Sequence, residues 1–304
     1  MTSASICNGF ENAPQRIKGA LQDMVADMNR RQASADPHKV LGIRTGFADL
    51  DQIISGIRPG SLIVIASSPS MGKSTLALNI ASHVALNVEL PVLMFNMQMS
   101  AMAIATKLTS QVGNIETTQF RTGNLDENDI QHLGAAIKKL EDAPFYVDET
   151  PSLTVEEIIS RMHDVAVQQG RLGLVVIDYL QLMAPIYADD NSVENHEFVM
   201  SSLRKMARET DTPIILLSQL NPKLEKRRNK RPRLSDLPVS TIGQYADLLM
   251  FLYRDECYDP KSEDMGKTEL TIGRHRYGAT GMIILGSTRL KFSEFSNISD
   301  HGMS

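Results

Sequence analysis

The chain has 304 residues, of which 42% are hydrophobic, and its formal net charge is −5. This length fits two domains, or one large α/β domain with an additional arm. The mildly acidic balance restricts any nucleic-acid contact to a local basic patch. Two distant cysteines, Cys7 and Cys257, argue against a disulfide framework or a zinc site. The sequence has no secretory signal pattern and no apolar run of roughly 20 residues, so we expect a cytoplasmic protein without a membrane partner.

The first 39 residues are predicted to form an arm outside the main domain. Apolar residues recur at helical spacing between positions 14 and 31, which predicts an amphipathic helix. The polar stretch 32–39 contains Asp36-Pro37 and is typical of a linker. The apolar stripe of this helix needs a partner, which is either the chain's own main domain or a neighbouring subunit.

From residue 40 onward, short apolar runs alternate with helical segments. This alternation predicts a mostly parallel sheet with helices on both faces, followed by antiparallel strands at the C-terminal end. We expect this domain to extend over 40–296, with a tail over 297–304. The predicted strands are 62–66, 91–95, 144–147, 174–178, 213–218, 247–253, 268–273, 282–285 and 288–292. The predicted helices are 73–87, 99–112, 126–142, 153–170 and 193–210.

A phosphate-binding loop follows the first predicted strand. The stretch S-S-P-S-M-G-K-S-T, residues 67–75, joins a strand to a helix as a Walker A motif does, although Ser67 replaces the first glycine. Lys73 would neutralise the β and γ oxygens of ATP, and Ser74 would reach Mg²⁺. Asp178 ends the strand L-V-V-I-D and would be the Walker B carboxylate at the metal. The predicted ATP-binding residues are Ser68, Pro69, Ser70, Met71, Gly72, Lys73, Ser74 and Thr75.

Further segments resemble the DnaB-type replicative helicases, whose motor domain is a RecA-like P-loop NTPase. They follow the family order and cover about residues 40–296. The segments are I-R-T-G-F-A-D-L-D-Q-I-I-S-G-I-R-P-G (43–60), P-S-M-G-K-S-T (69–75), F-R-T-G-N-L (120–125), D-Y-L-Q-L-M (178–183), L-S-Q-L-N (217–221) and Y-R-D-E (253–256). We expect the family's helical N-terminal domain to be missing. The helix at 14–31 resembles the linker helix that packs on the adjacent subunit of a hexameric ring, which favours that docking.

The resemblance also implies roles for three residues outside the phosphate loop. Gln219, in S-Q-L-N, would sense the γ-phosphate. Arg274 and Arg276, in R-H-R, match a K-x-R pair that reaches the neighbouring subunit's ATP, and Arg276 would be the arginine finger. Such a finger contributes ~10³–10⁵ in rate. The alternative is that both arginines are ordinary charges at a strand end.

The predicted DNA-binding region departs from the family pattern. Residues 235–241 read S-D-L-P-V-S-T where the family has S-D-L-R-E-S-G, so its arginine and glutamate are absent. The preceding segment, 221–233, is strongly basic and contains one acid, Glu225. It is either a solvated loop or a surface for the phosphates of single-stranded DNA. The candidate DNA-binding residues are Lys223, Lys226, Arg227, Arg228, Lys230, Arg231 and Arg233.

Residues 96–99 read N-M-Q-M where the family has S-L-E-M, whose glutamate polarises the attacking water. Gln98 is therefore either an ordinary strand-end residue or a neutral replacement at the catalytic position. An amide accepts a hydrogen bond from water but does not take its proton, and a positioned general base contributes ~10²–10⁴ in rate. ATP binding should survive, while hydrolysis should be slower. Glu149 is an alternative base.

These observations lead to two main hypotheses. The first is a ring-forming, ATP-dependent DNA helicase motor with weakened hydrolysis. It would bind ATP and Mg²⁺ at subunit interfaces, single-stranded DNA in the pore, and other replication proteins. The second is an ATP-binding, hydrolysis-poor paralogue that assembles with, loads or inhibits a replicative helicase. A third hypothesis is a RecA-like DNA-binding or signalling protein that never unwinds DNA.

Overall fold

The computed structural model describes residues 17–32, 40–185, 193–287, 291 and 293–297. The chain divides into two compact units, with the boundary between Val40 and Leu41. The first unit contains helix α1, Ile17–Gln32, which confirms the helix predicted there; residues 14–16 lie outside the described part of the chain. The apolar stripe of α1 is exposed, with Ile17 at 72% and Leu21 at 47%.

The second unit is built on a nine-stranded sheet. Its strands are β1 Leu62–Ser67, β2 Val92–Asn96, β3 Phe145–Asp148, β4 Leu174–Asp178, β5 Ile214–Gln219, β6 Leu248–Tyr253, β7 Lys267–His275, β8 Gly281–Gly286 and β9 Ser296–Asn297. Their order across the sheet is β3-β2-β4-β5-β1-β6-β7-β8-β9. The pairs among β1 to β6 are parallel, whereas β7, β8 and β9 are added antiparallel. This arrangement confirms the predicted mixed sheet.

Helices cover both faces of the sheet because the strands carry apolar side chains on both faces. Along β1, Ile63 and Ile65 belong to one apolar core, and Leu62, Val64 and Ala66 belong to the other. The first core is closed by α2, α3 and α4, and the second by α7, α8 and α9. The helices of this unit are α2 Ala48–Ile54, α3 Lys73–Leu86, α4 Ala101–Gly113, α5 Thr117–Thr122, α6 Glu127–Glu141, α7 Val155–Gln169, α8 Val193–Glu209 and α9 Ser240–Tyr245.

The five long helices predicted in this unit are confirmed to within about two residues. The three short helices α2, α5 and α9 were not predicted, because one or two turns give too few residues for a periodic apolar pattern. Most of the predicted strand 288–292 lies outside the described residues. None of the described helices is both long enough and apolar enough to span a membrane.

Candidate functional site

The parallel strands bring the predicted site residues to one edge of the sheet. Asn96 pairs with Asp178 between β2 and β4, and Ser67 pairs with Gln219 between β1 and β5. All four positions end their strands, so their side chains meet where the strands stop. In parallel sheets, ligands bind in the crevice outside the carboxyl ends of the strands.

The phosphate loop connects β1 to α3 at this edge. Ser70 and Gly72 have positive φ values of 63° and 98°, which turns the chain so that α3 begins directly at Lys73. A Cβ atom at Gly72 would lie 2.6 Å from the Phe295 ring, so the loop requires glycine there for both conformation and space. The free N–H groups at the start of α3 can therefore face an anion.

A cleft of about 440 Å³ opens beside this loop. It contains most of the predicted ATP-binding residues, but Met71 is buried in the apolar core, and the Ser68 hydroxyl donates to Glu225 Oε1 at 2.7 Å. The residues that line the cleft are Pro69, Ser70, Gly72, Lys73, Ser74, Thr75, Gln98, Lys107, Tyr179, Gln219 and Arg254. The structure therefore brings the phosphate loop together with two residues from distant segments that the sequence also singled out, Gln98 and Gln219.

Asp178 lies fully buried behind the cleft. Burial raises the pKa of its carboxyl group, while the Ser74 hydroxyl and the ammonium groups of Lys73 and Lys107 oppose that shift. One carboxylate oxygen, Oδ1, has no hydrogen-bond partner among the described residues. A buried, unpartnered carboxylate oxygen near a serine hydroxyl fits a Mg²⁺ ion that completes its shell with phosphate oxygens and water. In the described part of the chain, no cluster of three or more His, Cys, Asp or Glu side chains provides another metal site.

Two lysines face Asp178 from different helices. Lys73 starts α3 and lies 5.3 Å above the centre of the Tyr179 ring, and Lys107 lies in the middle of α4. Burial lowers the pKa of both ammonium groups, and the charge of Asp178 opposes this. Neither ammonium group has a hydrogen-bond or ion-pair partner within the described ranges. Both are therefore available to an anion in the cleft.

The loop that carries Gln98 is shaped by the buried side chain of Asn96. Its Oδ1 atom accepts hydrogen bonds from the backbone N–H groups of Gln98 at 3.0 Å and Met99 at 2.7 Å. Its Nδ2 atom lies 3.4 Å from Asp178 Oδ2. Asn96 thus connects the buried carboxylate to the residue at the mouth of the cleft. Glu149, the alternative base, instead accepts a hydrogen bond from Ala101 N at the start of α4 and does not line the cleft.

Gln219 lines the cleft at the end of β5. The side-chain amide of Gln181 binds both the backbone N–H and the backbone carbonyl of Gln219. Gln219 N donates to Gln181 Oε1 at 3.1 Å, and Gln181 Nε2 donates to Gln219 O at 3.2 Å. Gln181 belongs to the segment D-Y-L-Q-L-M that follows β4, so this segment fixes the position of Gln219.

Arg274 and Arg276 lie away from this cleft, at the end of β7. The Arg276 guanidinium forms an ion pair of 2.8 Å with Asp247, which is 2% exposed. Asp247 also lies 3.4 Å from Arg204 and accepts a hydrogen bond from Leu62 N at 3.2 Å. Arg274 donates to the backbone carbonyl of Gly243. Both predicted interface arginines therefore have partners within their own chain.

Three cations of the basic segment 221–233 have internal contacts. Arg227 Nη1 donates to both carboxylate oxygens of Asp236, at 2.8 and 2.9 Å. Arg231 binds Glu269 and lies 4.9 Å above the ring of Tyr253, while Lys230 lies 5.2 Å above the ring of Tyr258. The exposed cations of the segment that have no ion pair within the described ranges are Lys223, Lys226, Arg228 and Arg233.

The sequence analysis missed four residues of the site: Asn96, Lys107, Tyr179 and Arg254. Tyr179 and Arg254 belong to segments that it quoted, D-Y-L-Q-L-M and Y-R-D-E, but neither carried a signal of its own. Lys107 lies on a helix with no motif, and only the packing of α4 against the sheet brings it to the cleft. Arg254 is paired with Glu256 at the rim.

The fold and the cleft define a P-loop nucleotide-binding protein of the RecA-like class, as predicted. The family model described as the DnaB-like helicase C terminal domain matches residues 42–297. The chain therefore belongs to the DnaB-like helicase C-terminal domain family.

Relatives and solved structures agree with this assignment. The chain is 39% identical to the replicative DNA helicase DnaB of Pasteurella multocida over 94% of its own length and 62% of that protein. A solved ATPase domain matches with a TM-score of 0.88 and 29% identity, covering 94% of this chain and all of that one. A DnaB-like replicative helicase, described with its interactions with primase, matches with a TM-score of 0.84 and 28% identity over 95% of this chain and 68% of that one. The chain thus spans about three fifths of the length of the DnaB relatives that it matches.

Proposed function

We propose that this chain is the ATP-driven motor of a DnaB-type DNA helicase and that ATP with Mg²⁺ binds in the cleft beside the phosphate loop. The observation that carries this proposal is the unpartnered, buried Oδ1 of Asp178 behind a loop that directs Lys73 and Ser74 into the same cleft. A carboxylate, a hydroxyl and an ammonium group on a helix N-terminus are the groups that nucleoside triphosphate sites combine. Membership in the helicase family supports DNA as the substrate on which the motor works.

In this proposal, each chain group has a defined task. The N–H groups at the start of α3 and the Lys73 ammonium bind the β- and γ-phosphates. Ser74 and Asp178 would hold Mg²⁺, which would neutralise charge on the phosphate oxygens. Gln219, fixed by Gln181, contacts the terminal phosphate from the end of β5.

Gln98 would orient water without deprotonating it. Hydrolysis forms a bond between the water oxygen and the γ-phosphorus and breaks the bond between that phosphorus and the ADP oxygen. A neutral amide does not accept the water's proton, so the proton passes to a phosphate oxygen or to solvent. Because phosphoryl transfer depends mainly on positioning and electrostatics, and some GTPases orient water with glutamine, hydrolysis is slowed rather than abolished.

We also propose that the chain works as a homo-oligomeric ring, consistent with a hexamer, in which Arg276 reaches the neighbouring subunit's nucleotide. To do so, Arg276 must exchange Asp247 for a phosphate. Arg204 would remain beside Asp247, so the buried carboxylate would keep a cationic partner. The exposed apolar stripe of α1 supports docking on a second copy. Replication proteins are the expected further partners.

The cations on the basic segment would contact single-stranded DNA through its phosphates. Lys223, Lys226, Arg228 and Arg233 are the better candidates, because Arg227 and Arg231 already bind Asp236 and Glu269. Such contacts are independent of base sequence and weaken as salt rises.

Steady-state ATP hydrolysis, measured with and without single-stranded DNA, tests the motor proposal. We expect slow turnover that DNA stimulates and that Lys73→Ala abolishes. Gln98→Glu should raise turnover by ~10²-fold, because it restores a general base at the mouth of the cleft. Gln98→Asn, which shortens the neutral amide, is the matched control and should give no gain.

The neutral charge of Gln98 also favours a second candidate, an ATP-binding paralogue that assembles with, loads or inhibits an active helicase. This candidate predicts no turnover in the natural chain, turnover created only by Gln98→Glu, and tight ATP binding in both. Turnover by the natural chain that responds to DNA would rule it out.

A further inference from the structure

Asn96 is a fully buried asparagine at the end of β2. The family pattern S-L-E-M has serine at this position, so the amide distinguishes this chain from that pattern. Its Oδ1 atom accepts hydrogen bonds from the backbone N–H groups of Gln98 and Met99, and its Nδ2 atom lies 3.4 Å from Asp178 Oδ2. Burying an amide is costly unless both of its ends find partners, so these contacts indicate what Asn96 does.

The contacts of Oδ1 fix the orientation of the Asn96 amide. A flipped amide would direct its NH₂ group at two backbone N–H groups, and none of these three groups is an acceptor. Nδ2 therefore faces the carboxylate of Asp178, although 3.4 Å is long for an N–H···O hydrogen bond. Asn96 is thus a donor toward the carboxylate and an acceptor for the turn that follows β2.

The two carboxylate oxygens of Asp178 have different surroundings. Oδ2 faces the Asn96 amide, whereas the buried Oδ1 has no hydrogen-bond partner among the described residues. The terminal torsion of an aspartate has a broad energy minimum, so a donor at one oxygen helps to fix the position of the other. Asn96 therefore keeps Oδ1 as the free oxygen, which is the one that fits Mg²⁺.

The turn after β2 is also attached to Asp178 through the backbone. Met97 N donates to the backbone carbonyl of Asp178 at 3.0 Å, and Asn96 pairs with Asp178 in the sheet. Together with the two bonds to Asn96 Oδ1, the backbone N–H groups of residues 97, 98 and 99 are all bound by Asn96 or Asp178. The backbone of Gln98 is therefore placed by contacts with the same two residues.

We propose that Asn96 is a positioning residue for both Mg²⁺ and Gln98. It holds Oδ2 of Asp178 so that Oδ1 stays free for the metal, and it fixes the turn that carries Gln98. A residue that orients or activates water works only from the correct position. The inference rests on the proposed nucleotide binding, and it adds a residue that determines how much the metal strengthens that binding.

The first test measures dissociation constants for the non-hydrolysable analogue AMP-PNP by calorimetry on the full chain, with Mg²⁺ and with EDTA. The ratio of the two constants is the gain in affinity that the metal provides. Asn96→Ser keeps an acceptor for a backbone N–H group, as serine does in turns, but its hydroxyl ends one bond short of the amide nitrogen. The gain should fall about 10-fold, the effect of losing a hydrogen bond to a charged group. The affinity in EDTA should change less than about threefold, because Lys73 and the start of α3 are unaltered.

The second test concerns the turn and uses Asn96→Ala, which removes the acceptor as well as the donor. Turnover is measured at saturating ATP and Mg²⁺ in the Gln98→Glu background, where both candidate functions predict hydrolysis. Asn96→Ala should turn over about 10- to 100-fold more slowly than Asn96→Ser, because residue 98 is no longer held in place. Both variants should lose the same gain from Mg²⁺. Equal turnover in the two variants would overturn the role of Asn96 in placing residue 98.

The outcomes separate this inference from the proposed function. If the natural chain binds AMP-PNP neither with Mg²⁺ nor with EDTA, the proposed function fails. If Asn96→Ser keeps the natural gain from Mg²⁺, or loses affinity equally with Mg²⁺ and with EDTA, the proposed function stands and the role of Asn96 at the metal is overturned.

Two controls keep the test independent of folding. Thermal unfolding without nucleotide shows whether a variant has lost its fold. Asn96→Thr supplies the same hydroxyl on a residue that favours strands, and it replaces Asn96→Ser if that variant unfolds. Asn128→Ser, at an exposed asparagine of α6, is the matched control and should bind AMP-PNP like the natural chain under both conditions.

Discussion

Lys73 and Lys107 face the cleft without a hydrogen-bond or ion-pair partner in the described part of the chain, whereas Arg274 and Arg276 at the end of β7 are bound within their own chain. Both regions are cationic, and the sequence alone does not show which of these cations have partners in the folded chain. The difference lies in what each cation contacts in the folded chain. Unpartnered cations in a cleft are ready for an external anion, while Arg276 must first leave Asp247. The comparison teaches that partners, rather than charge, separate cations that are available to an anion from cations that must first leave an internal partner.

The largest expected effect comes from removing the carboxylate of Asp247, which binds Arg276. Asp247→Ala would leave Arg204 and Arg276 without their carboxylate and Leu62 N without its acceptor. Breaking a buried ion pair in this way should reduce the free energy of unfolding by about 3 kcal/mol. Urea unfolding measures this loss. Asp264→Ala removes an exposed ion pair with Lys267 and should cost less than about 1 kcal/mol. Equal losses in the two variants would contradict the distinction drawn here.

In the cleft, Lys73→Ala should leave folding intact and weaken the binding of ATP. The side chain has no hydrogen-bond or ion-pair partner within the described ranges, so the midpoint of thermal unfolding should not fall. Affinity for ATP should fall about 10- to 100-fold, because a charged hydrogen-bond donor to the phosphates is lost. Calorimetric titration with ATP and Mg²⁺ checks this, with Lys138→Ala as the control. A variant that unfolds readily would show that Lys73 has a structural role.

The basic segment contains cations with an internal ion pair and cations without one, so it allows the same comparison within one segment. Replacing Lys223, Lys226 and Arg228 together by alanine should weaken binding to single-stranded DNA. The slope of log K against log salt should become shallower by up to about 2, at about 0.7 for each phosphate contact. Fluorescence anisotropy at several salt concentrations measures that slope.

Arg227→Ala is the paired counterpart within the same segment. It removes the ion pair with Asp236, so it should mainly destabilise the segment. Its salt slope should stay close to that of the natural chain. A larger change of slope in Arg227→Ala than in the triple variant would reverse the assignment of DNA contacts.

The smallest expected effect is on the pH dependence of stability and concerns His83, which belongs neither to the cleft nor to the end of β7. Burial lowers the pKa of its imidazole, Asp51 opposes this shift, and Arg44 adds to it. The unfolded chain therefore takes up the proton first as the pH falls through about 6.5, so this histidine makes the folded chain less stable below that pH. His83→Gln should reduce the loss of unfolding free energy between pH 7.5 and pH 5.5. Urea unfolding at both pH values measures it, and an unchanged difference would contradict the prediction.

Much of the fold and part of the site could be predicted from the sequence. The strands of the parallel sheet are continuous apolar runs, and the phosphate loop is a local motif with its own geometric requirement at Gly72. Asp178 was identifiable because a strand carries it to the same edge as that loop. These features depend on short stretches of chain, so local sequence patterns are enough to predict them.

The rest depends on contacts between distant residues. Arg276 meets Asp247, Arg231 meets Glu269, and Lys107 reaches the cleft only because α4 packs beside β2. No local spacing encodes these pairs, since their residues belong to different strands, helices or loops. For the same reason, the basic segment looked uniformly available for DNA in the sequence, although internal partners hold Arg227 and Arg231.

Glu225, the one acid of the basic segment, accepts hydrogen bonds from the hydroxyls of Ser68 at 2.7 Å and Tyr258 at 2.9 Å. Ser68 immediately follows β1, so one carboxylate fastens the entrance of the phosphate loop to the segment. A displacement of the segment by more than about 0.3 Å along the Ser68 contact stretches that O–H···O bond past its usual upper limit of about 3.0 Å. The hydrogen bond between Ser68 and Glu225 therefore tolerates little displacement. The basic segment is therefore linked by side-chain contacts to the end of β1 through Glu225 and to β7 through Arg231 and Glu269.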